Sequence, residues 1–316
     1  MRHPRNIALR ALRGLAAGLL ALCAACTTPP APHSELPRGD TRVLQAATAA
    51  RLAYEQGHDT QARLLYRQAL TRAQAIDAVE QAADMAFNLA VVEVGLRHYE
   101  AADQLLAQAA YDAARVAAEG NDIRLLRAKL AYLRGQLPQA LALANQVVSA
   151  GASPHLALQA RILRGQMAAD RRDLPGASSE LQAVLALAAA SGGTLAPAVD
   201  ADLHKLDGTL ARLAGRAAAA TRLFDSEARL LRSARRHRDM AHAQARAAES
   251  YGAAGQAALA ADRYFLAARS LVAQADIDAA RAYALASAAA AGQASDAAAG
   301  DRARRLLDEL KPRDAR

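Results

Sequence analysis

From Asp40 onward, small and apolar residues recur every three or four positions, broken at intervals by short polar turns. Such spacing predicts amphipathic helices, and the breaks come too often for one continuous coiled coil. Seven segments share one arrangement: a turn, a small residue about five places later, and a larger one four places beyond. "EQGHDTQARLLYRQAL" has Gly57, Ala62, Tyr66 and Ala69; "LRHYEAADQLLAQAA" has Tyr99, Ala102, Leu106 and Ala109. The pattern returns at Ala140, Ala177, Ala220 and Ala260, and at Ala297 behind Gly292, where Asp301 replaces the large residue. The intervals are 40, 38, 37, 43, 40 and 37 residues. A near-constant period of this length predicts stacked helical hairpins.

Twelve residues before each of the first six alanines stands a second small residue: Ala50, Ala90, Ala128, Gly165, Gly208 and Ala248. Small side chains at both places let the two helices of a hairpin approach closely. Over residues 41 to 300 this resembles the tetratricopeptide repeat, with its small residues at the eighth, twentieth and twenty-seventh positions. The fold expected is an all-α, TPR-like α-solenoid of about six to seven helix-turn-helix repeats. The period exceeds the family's usual length of about 34 residues, so helices or connections must be longer.

Proline placement agrees with hairpins. Pro138 and Pro175 fall early in second helices, where a missing N–H costs little, and Ser153-Pro154 reads as a cap followed by a first-turn proline. "SGGTLAPAVD", residues 191–200, is the widest gap, read either as a hinge or as a longer surface loop. The end, "DRARRLLDELKPRDAR", predicts a last helix with a polar outer face, followed by a tail over 311–316.

The amino-terminal stretch differs. "MRHPRNIALRALR" is basic, and Gly14 to Ala25 is apolar and uncharged. That run is short of the roughly 20 residues of a spanning helix and reads as a secretory signal over residues 1–25. "LCAAC" resembles a bacterial lipobox, with Ala24 and Ala25 before Cys26 as the acylated residue. Cys23 stands where the commonest form has Leu, and bulky Leu22 makes Cys23 itself a poorer site. The competing reading is an ordinary cleaved signal with an incidental cysteine. By resemblance to other lipoproteins, Thr27 in place of Asp implies the periplasmic face of the outer membrane. Residues 26–40, with Pro29, Pro30, Pro32 and Pro37, read as an extended tether, and 41–310 as the superhelical domain.

Composition then changes the picture in two ways. Apolar residues are 53% of the 316 but aromatics only 3%, so alanine carries most of the apolar count; this favours helix, and a GC-rich genome is the competing explanation. The net charge of +8 includes four arginines before residue 26. Without that segment thirty-five bases face thirty-one acids, about +4, which removes the argument for nucleic acid. With Cys26 acylated and Cys23 removed, no cysteine remains for a disulfide or a metal.

Chemistry is sparse. There is no phosphate-cradling G-x-x-x-x-G-K-[ST], no H-E-x-x-H and no G-x-S-x-G. The nearest histidines, His237 and His242, are five apart, where helical metal ligands would be four apart. No enzyme, metal, small-molecule substrate or cofactor is expected beyond a covalent lipid on Cys26. The TPR resemblance implies a partner-binding groove on first-helix positions: Arg51, Tyr54 and Glu55, then Asp84, Phe87 and Val91, then Asp122, Leu125, Lys129 and Tyr132. Gln159, Gln166, Lys205, Arg212, His242 and Glu249 continue it. Tyr54, Phe87 and Tyr132 are its candidate anchors, with Phe87 and Tyr132 equally readable as core. "ARLLRSARRHRD" places Arg229, Arg232 and Arg236 at helical spacing on one face, either a basic patch or a solvated helix end. The reading is a lipid-anchored scaffold for an envelope protein or peptide segment; the alternative is a lipid- or cell-wall-binding factor using the groove or the basic helix end.

Overall fold

The structure, a computed structural model, describes residues 39–117, 120–190 and 192–311. The signal segment, Cys26 and the tether as far as residue 38 lie outside the described residues, as does the tail from 312. Among the described residues there are fourteen helices and no strand. They run α1 (Thr41–Glu55), α2 (Asp59–Ala75), α3 (Val79–Gly95), α4 (Tyr99–Arg115), α5 (Asn121–Leu133), α6 (Leu137–Ser149) and α7 (Pro154–Asp170). The second half is α8 (Leu174–Ala190), α9 (Pro197–Leu213), α10 (Ala217–Ser233), α11 (His237–Ala253), α12 (Ala257–Ala273), α13 (Ile277–Gln293) and α14 (Ala297–Glu309). Each odd-numbered helix packs on the even-numbered helix that follows it, giving seven stacked hairpins. The fold is an all-α, TPR-like solenoid.

Every hairpin turns through one left-handed residue: Gly57, Arg97, Gly135, Arg172, Gly215, Gly255 and Ser295. The amide after it reaches back five residues, as His58 N to Ala53 O at 2.8 Å and Asp296 N to Ala291 O at 2.9 Å. This closes the helix end in a Schellman-type cap and satisfies carbonyls that would otherwise be orphaned. Asp77, Arg235 and Ala275 do the same between hairpins. Ser153 Oγ accepts from Leu156 N at 3.5 Å, and Pro138 and Pro175 are second residues of α6 and α8.

Four residues into each second helix lies the contact residue. Ala62, Ala102, Ala140, Ala177, Ala220 and Ala260 are buried there, and Leu106 and Phe224 wedge in fully buried one turn later. At Gly165 and Gly208 the approach is closer than alanine allows. A Cβ would stand 2.6 Å from Leu206 Cδ2 at the first and 2.8 Å from Phe224 Cε1 at the second.

The seventh repeat corrects the sequence reading. Gly292 lies inside α13, the turn residue is Ser295, and Gly300 takes the contact position while Ala297 is exposed. The Asp296 carboxylate accepts from Ala299 N at 2.9 Å and so fixes where α14 begins. With that register the last interval lengthens from 37 to 40. The gap at 191–200 is also shorter than expected, since α9 starts at Pro197. Leu158, Ile162, Val184, Leu203 and Leu206 form one apolar cluster through α7, α8 and α9, so this segment is a loop on a continuous stack. No described helix is long and apolar enough to cross a membrane.

Candidate partner-binding groove

The odd-numbered helices form one wall. Along the first five hairpins each touches the next, α1 to α3, α3 to α5, α5 to α7 and α7 to α9. Their outward charges feel one another across several repeats: Lys129 of α5 senses Asp202 of α9 and Arg236 at the start of α11, and Tyr54 of α1 senses Arg236 and Asp239. Side chains of hairpins one, three, five and six therefore converge on one interior.

That interior is closed by polar contacts between hairpin two and hairpins six and seven. Arg97 Nη2 donates to His242 Nε2 at 3.1 Å, and its Nη1 lies 3.7 Å from Asp276 Oδ2. Arg238 Nη1 donates to Gly95 O at 3.3 Å, and its Nε lies 3.8 Å from the same Asp276 oxygen. The two hydrogen-bonded pairs are 145 and 143 residues apart in sequence. Beside them, a Cβ on Gly57 would meet the Arg235 carbonyl oxygen at 3.4 Å. The stack thus curves until hairpin two touches hairpins six and seven, one superhelical turn resting on the next.

The histidine in this latch has an assigned tautomer. Arginine only donates, so His242 Nε2 accepts and its Nδ1–H donates to the Tyr283 hydroxyl at 2.9 Å. Burial, then Arg97 and Arg246, hold the His242 pKa below the ordinary imidazole value. A second proton would also remove the acceptor that Arg97 uses.

Around the lumen the charges are mixed and partly desolvated. Lys129 Nζ donates to Gln159 Oε1 at 2.7 Å; burial and then Arg236 push its pKa down against the pull of Asp202. Lys205 is pushed down by burial and Arg246, opposed by Asp202, Glu227 and Asp239. Burial pushes Glu227 up, and Arg246 opposes this by gripping both of its oxygens. Tyr132 donates to Asp170 Oδ2 at 2.7 Å, and burial and that bond both push its phenol up.

The residues expected for the groove separate into groups. Tyr54, Lys129 and Lys205 face the shared interior, and Tyr132 joins them through the field of Arg246. Arg212 lies 3.6 Å from Glu249, and Gln166 is half-buried on α7. Arg51 stands in solvent, 69% exposed, beside Glu55 at 3.8 Å. Phe87 packs against the first apolar cluster, and Leu125 is buried with Val147 and Ala160, so these two serve the core. The basic stripe is split. Arg229 and Arg232 belong to α10, but the turn at Ala234–Arg236 intervenes, and Arg236 caps α11 facing Asp239 in the lumen.

Asp170 and Asp202 are lumen residues that the repeat alignment did not bring forward, although they occupy the thirteenth and second first-helix positions. Arg246 and Asp239 carry no such positional signal. Among the described residues no group of three or more His, Cys, Asp or Glu is arranged to hold a metal ion.

Stacked antiparallel hairpins with small residues at both contact positions define a TPR-like repeat protein fold. No protein-family model matches the chain, and no curated protein matches it. Solved structures do. A Rap protein complexed with competence and sporulation factor is similar with a TM-score of 0.57 and 10% identity, over 86% of this chain and 79% of that one. A signal transduction ATPase with a tetratricopeptide repeat sensor from Pyrococcus horikoshii is similar with a TM-score of 0.53 and 15% identity, over 85% of this chain and 42% of that one. The Cut9–Hcn1 hetero-tetramer of the APC/C is similar with a TM-score of 0.51 and 13% identity, over 86% of this chain and 49% of that one. This chain thus spans less than half of the last two. At these identities the likeness speaks to fold.

Proposed function

We propose that this protein is a non-catalytic interaction scaffold, lipid-anchored through Cys26 on the periplasmic face of the outer membrane, which holds an extended segment of an envelope protein inside its superhelix. The observation that carries this reading is the convergence of Tyr54, Lys129, Asp202, Lys205, Arg236 and Arg246 from four different hairpins on one interior. Long side chains of both signs, aimed inward, suit a chain that presents its backbone and charges in a row. They do not suit a flat globular surface. Partial desolvation strengthens each such contact, because charges interact more strongly away from bulk water. Two of the similar structures are complexes, one with competence and sporulation factor and one joining Cut9 to Hcn1. The address rests on the basic and apolar leader and on "LCAAC".

Two measurements test the two halves. Cys26→Ser is expected to abolish palmitate labelling and release the protein from membranes; labelling that persists removes the anchor. The double variant Lys129→Ala, Lys205→Ala is expected to lose its captured envelope partner in cells by at least about tenfold, a change of 1.4 kcal/mol, as read by crosslinking and mass spectrometry. Unchanged capture by a variant of unchanged helicity rejects the lumen as the binding site.

A further inference from the structure

A second cluster of arginines lies away from the lumen, in a cleft of about 450 Å³ between α10 and α12 with α11 beneath. Arg222, Arg229 and Arg232 line it from α10, and Arg263 lines it from α12. Its lining contains one carboxylate, Asp225, which is already engaged. Asp225 accepts from Arg263 Nε at 2.9 Å and Nη2 at 3.3 Å, and from the Tyr251 hydroxyl at 2.9 Å. Of the ion pairs in this part of the fold, the cleft lining holds Arg263–Asp225. Arg222, Arg229 and Arg232 take part in none among the described residues. Arg229 finds only a hydroxyl, Ser226 Oγ at 2.9 Å.

Arg222, Arg229 and Arg232 are exposed, so their guanidinium donors stand open to whatever enters the cleft. An anion with several acceptor oxygens can take donors from all three at once. A single carboxylate would leave most of the positive charge unmatched. A phosphate group carries up to about two charges, and guanidinium forks match its oxygens in pairs.

We propose that this cleft binds a phosphate-bearing anion, held by Arg222, Arg229 and Arg232. The site is independent of the partner segment proposed for the superhelix interior. Its phosphate comes either from a lipid headgroup or from a soluble phosphate compound, and the two sources are separable by experiment.

The test uses the full chain and two probes. One is millimolar inorganic pyrophosphate against sodium chloride of equal ionic strength, read as a shift in Tm. The other is flotation with phosphatidylcholine vesicles, with and without phosphatidylglycerol. The expected result is a rise in Tm with pyrophosphate, added flotation with phosphatidylglycerol, or both. A response to pyrophosphate alone assigns a soluble phosphate compound, and one to phosphatidylglycerol alone assigns a lipid headgroup. The variant Arg222→Gln, Arg229→Gln, Arg232→Gln is expected to lose the response at least about tenfold. A variant of equal charge loss elsewhere, Arg171→Gln, Arg172→Gln, Arg305→Gln, keeps it, as does the lumen variant Lys129→Ala, Lys205→Ala. The proposal is overturned if the full chain responds to neither probe, or if both arginine variants lose the response equally.

Discussion

The two ends of the stack are built on one backbone plan with different materials. Hairpins one and two bury Tyr66, Met85, Leu89, Val92 and Leu106 in a continuous apolar cluster. Hairpins six and seven, by contrast, bury mostly alanine: Ala241, Ala245, Ala267, Ala268, Ala280, Ala284 and Ala291, with Leu271 among the few larger side chains. A fully buried leucine contributes roughly 1.5–3 kcal/mol, and each methyl-sized group closer to 0.8. The alanine end thus gains less from burial and more from close backbone approach and polar ties. Ser287 Oγ donates to Ala261 O at 2.8 Å, Arg281 Nη2 to Leu310 O at 2.7 Å, and Arg302 Nη2 to Asp262 Oδ1 at 2.8 Å. The latch residues Arg238, His242, Asp276 and Tyr283 all sit on this softer end. Opening of the latch should therefore begin there.

The largest test of this contrast is a pair of core substitutions. Leu89→Ala should cost about 2–5 kcal/mol in urea unfolding, whereas Ala268→Gly should cost nearer 1 kcal/mol, mostly helix propensity. Equal losses would dissolve the distinction between the two ends. Next comes the junction. Gly208→Ala should destabilise by about 1–3 kcal/mol, because a Cβ there collides with Phe224. Gly252→Ala, with nothing within 4 Å of the new Cβ, should instead stabilise by up to about 1 kcal/mol. The same sign at both glycines would deny that close approach fixes Gly208.

The smallest effect is on the latch. His242 is faced by Arg97, Arg246, Asp239, Asp276 and Tyr283, and burial and the arginines depress its pKa. The open state then binds protons more readily than the closed one. Closure is fully supported above an ordinary imidazole pKa of about 6.5 and is lost as pH falls through the lowered value. Protection factors in α11 and α13, taken against the intrinsic exchange rate at each pH, should fall on acidification, and His242→Gln should flatten that dependence. Protection equally pH-sensitive in the variant would assign the effect to other groups.

Much of the fold was legible because close contacts admit few side chains. Ala62, Ala102 and their successors mark helix crossings where anything larger collides, so their period survives in the sequence. The seventh repeat was misplaced because Gly292 resembles a turn, while the left-handed residue, Ser295, does not advertise itself. Leu125 was assigned outward by alignment and turns inward against Val147 and Ala160. Arg236 was grouped with Arg229 and Arg232 because helical spacing continues across a turn that the chain breaks. The latch had no local signature. It arises from the rotation accumulated over four hairpins, and no residue near Arg97 hints at His242.

One consequence follows from the contact between Arg238 and the Gly95 carbonyl. In an open trough, occupancy depends on how tightly the wall grips. Where one superhelical turn rests on the next, a segment of the kind proposed exits end-first or waits for that seam to part. Dwell time is then set by the seam, and a weak grip can coexist with long retention.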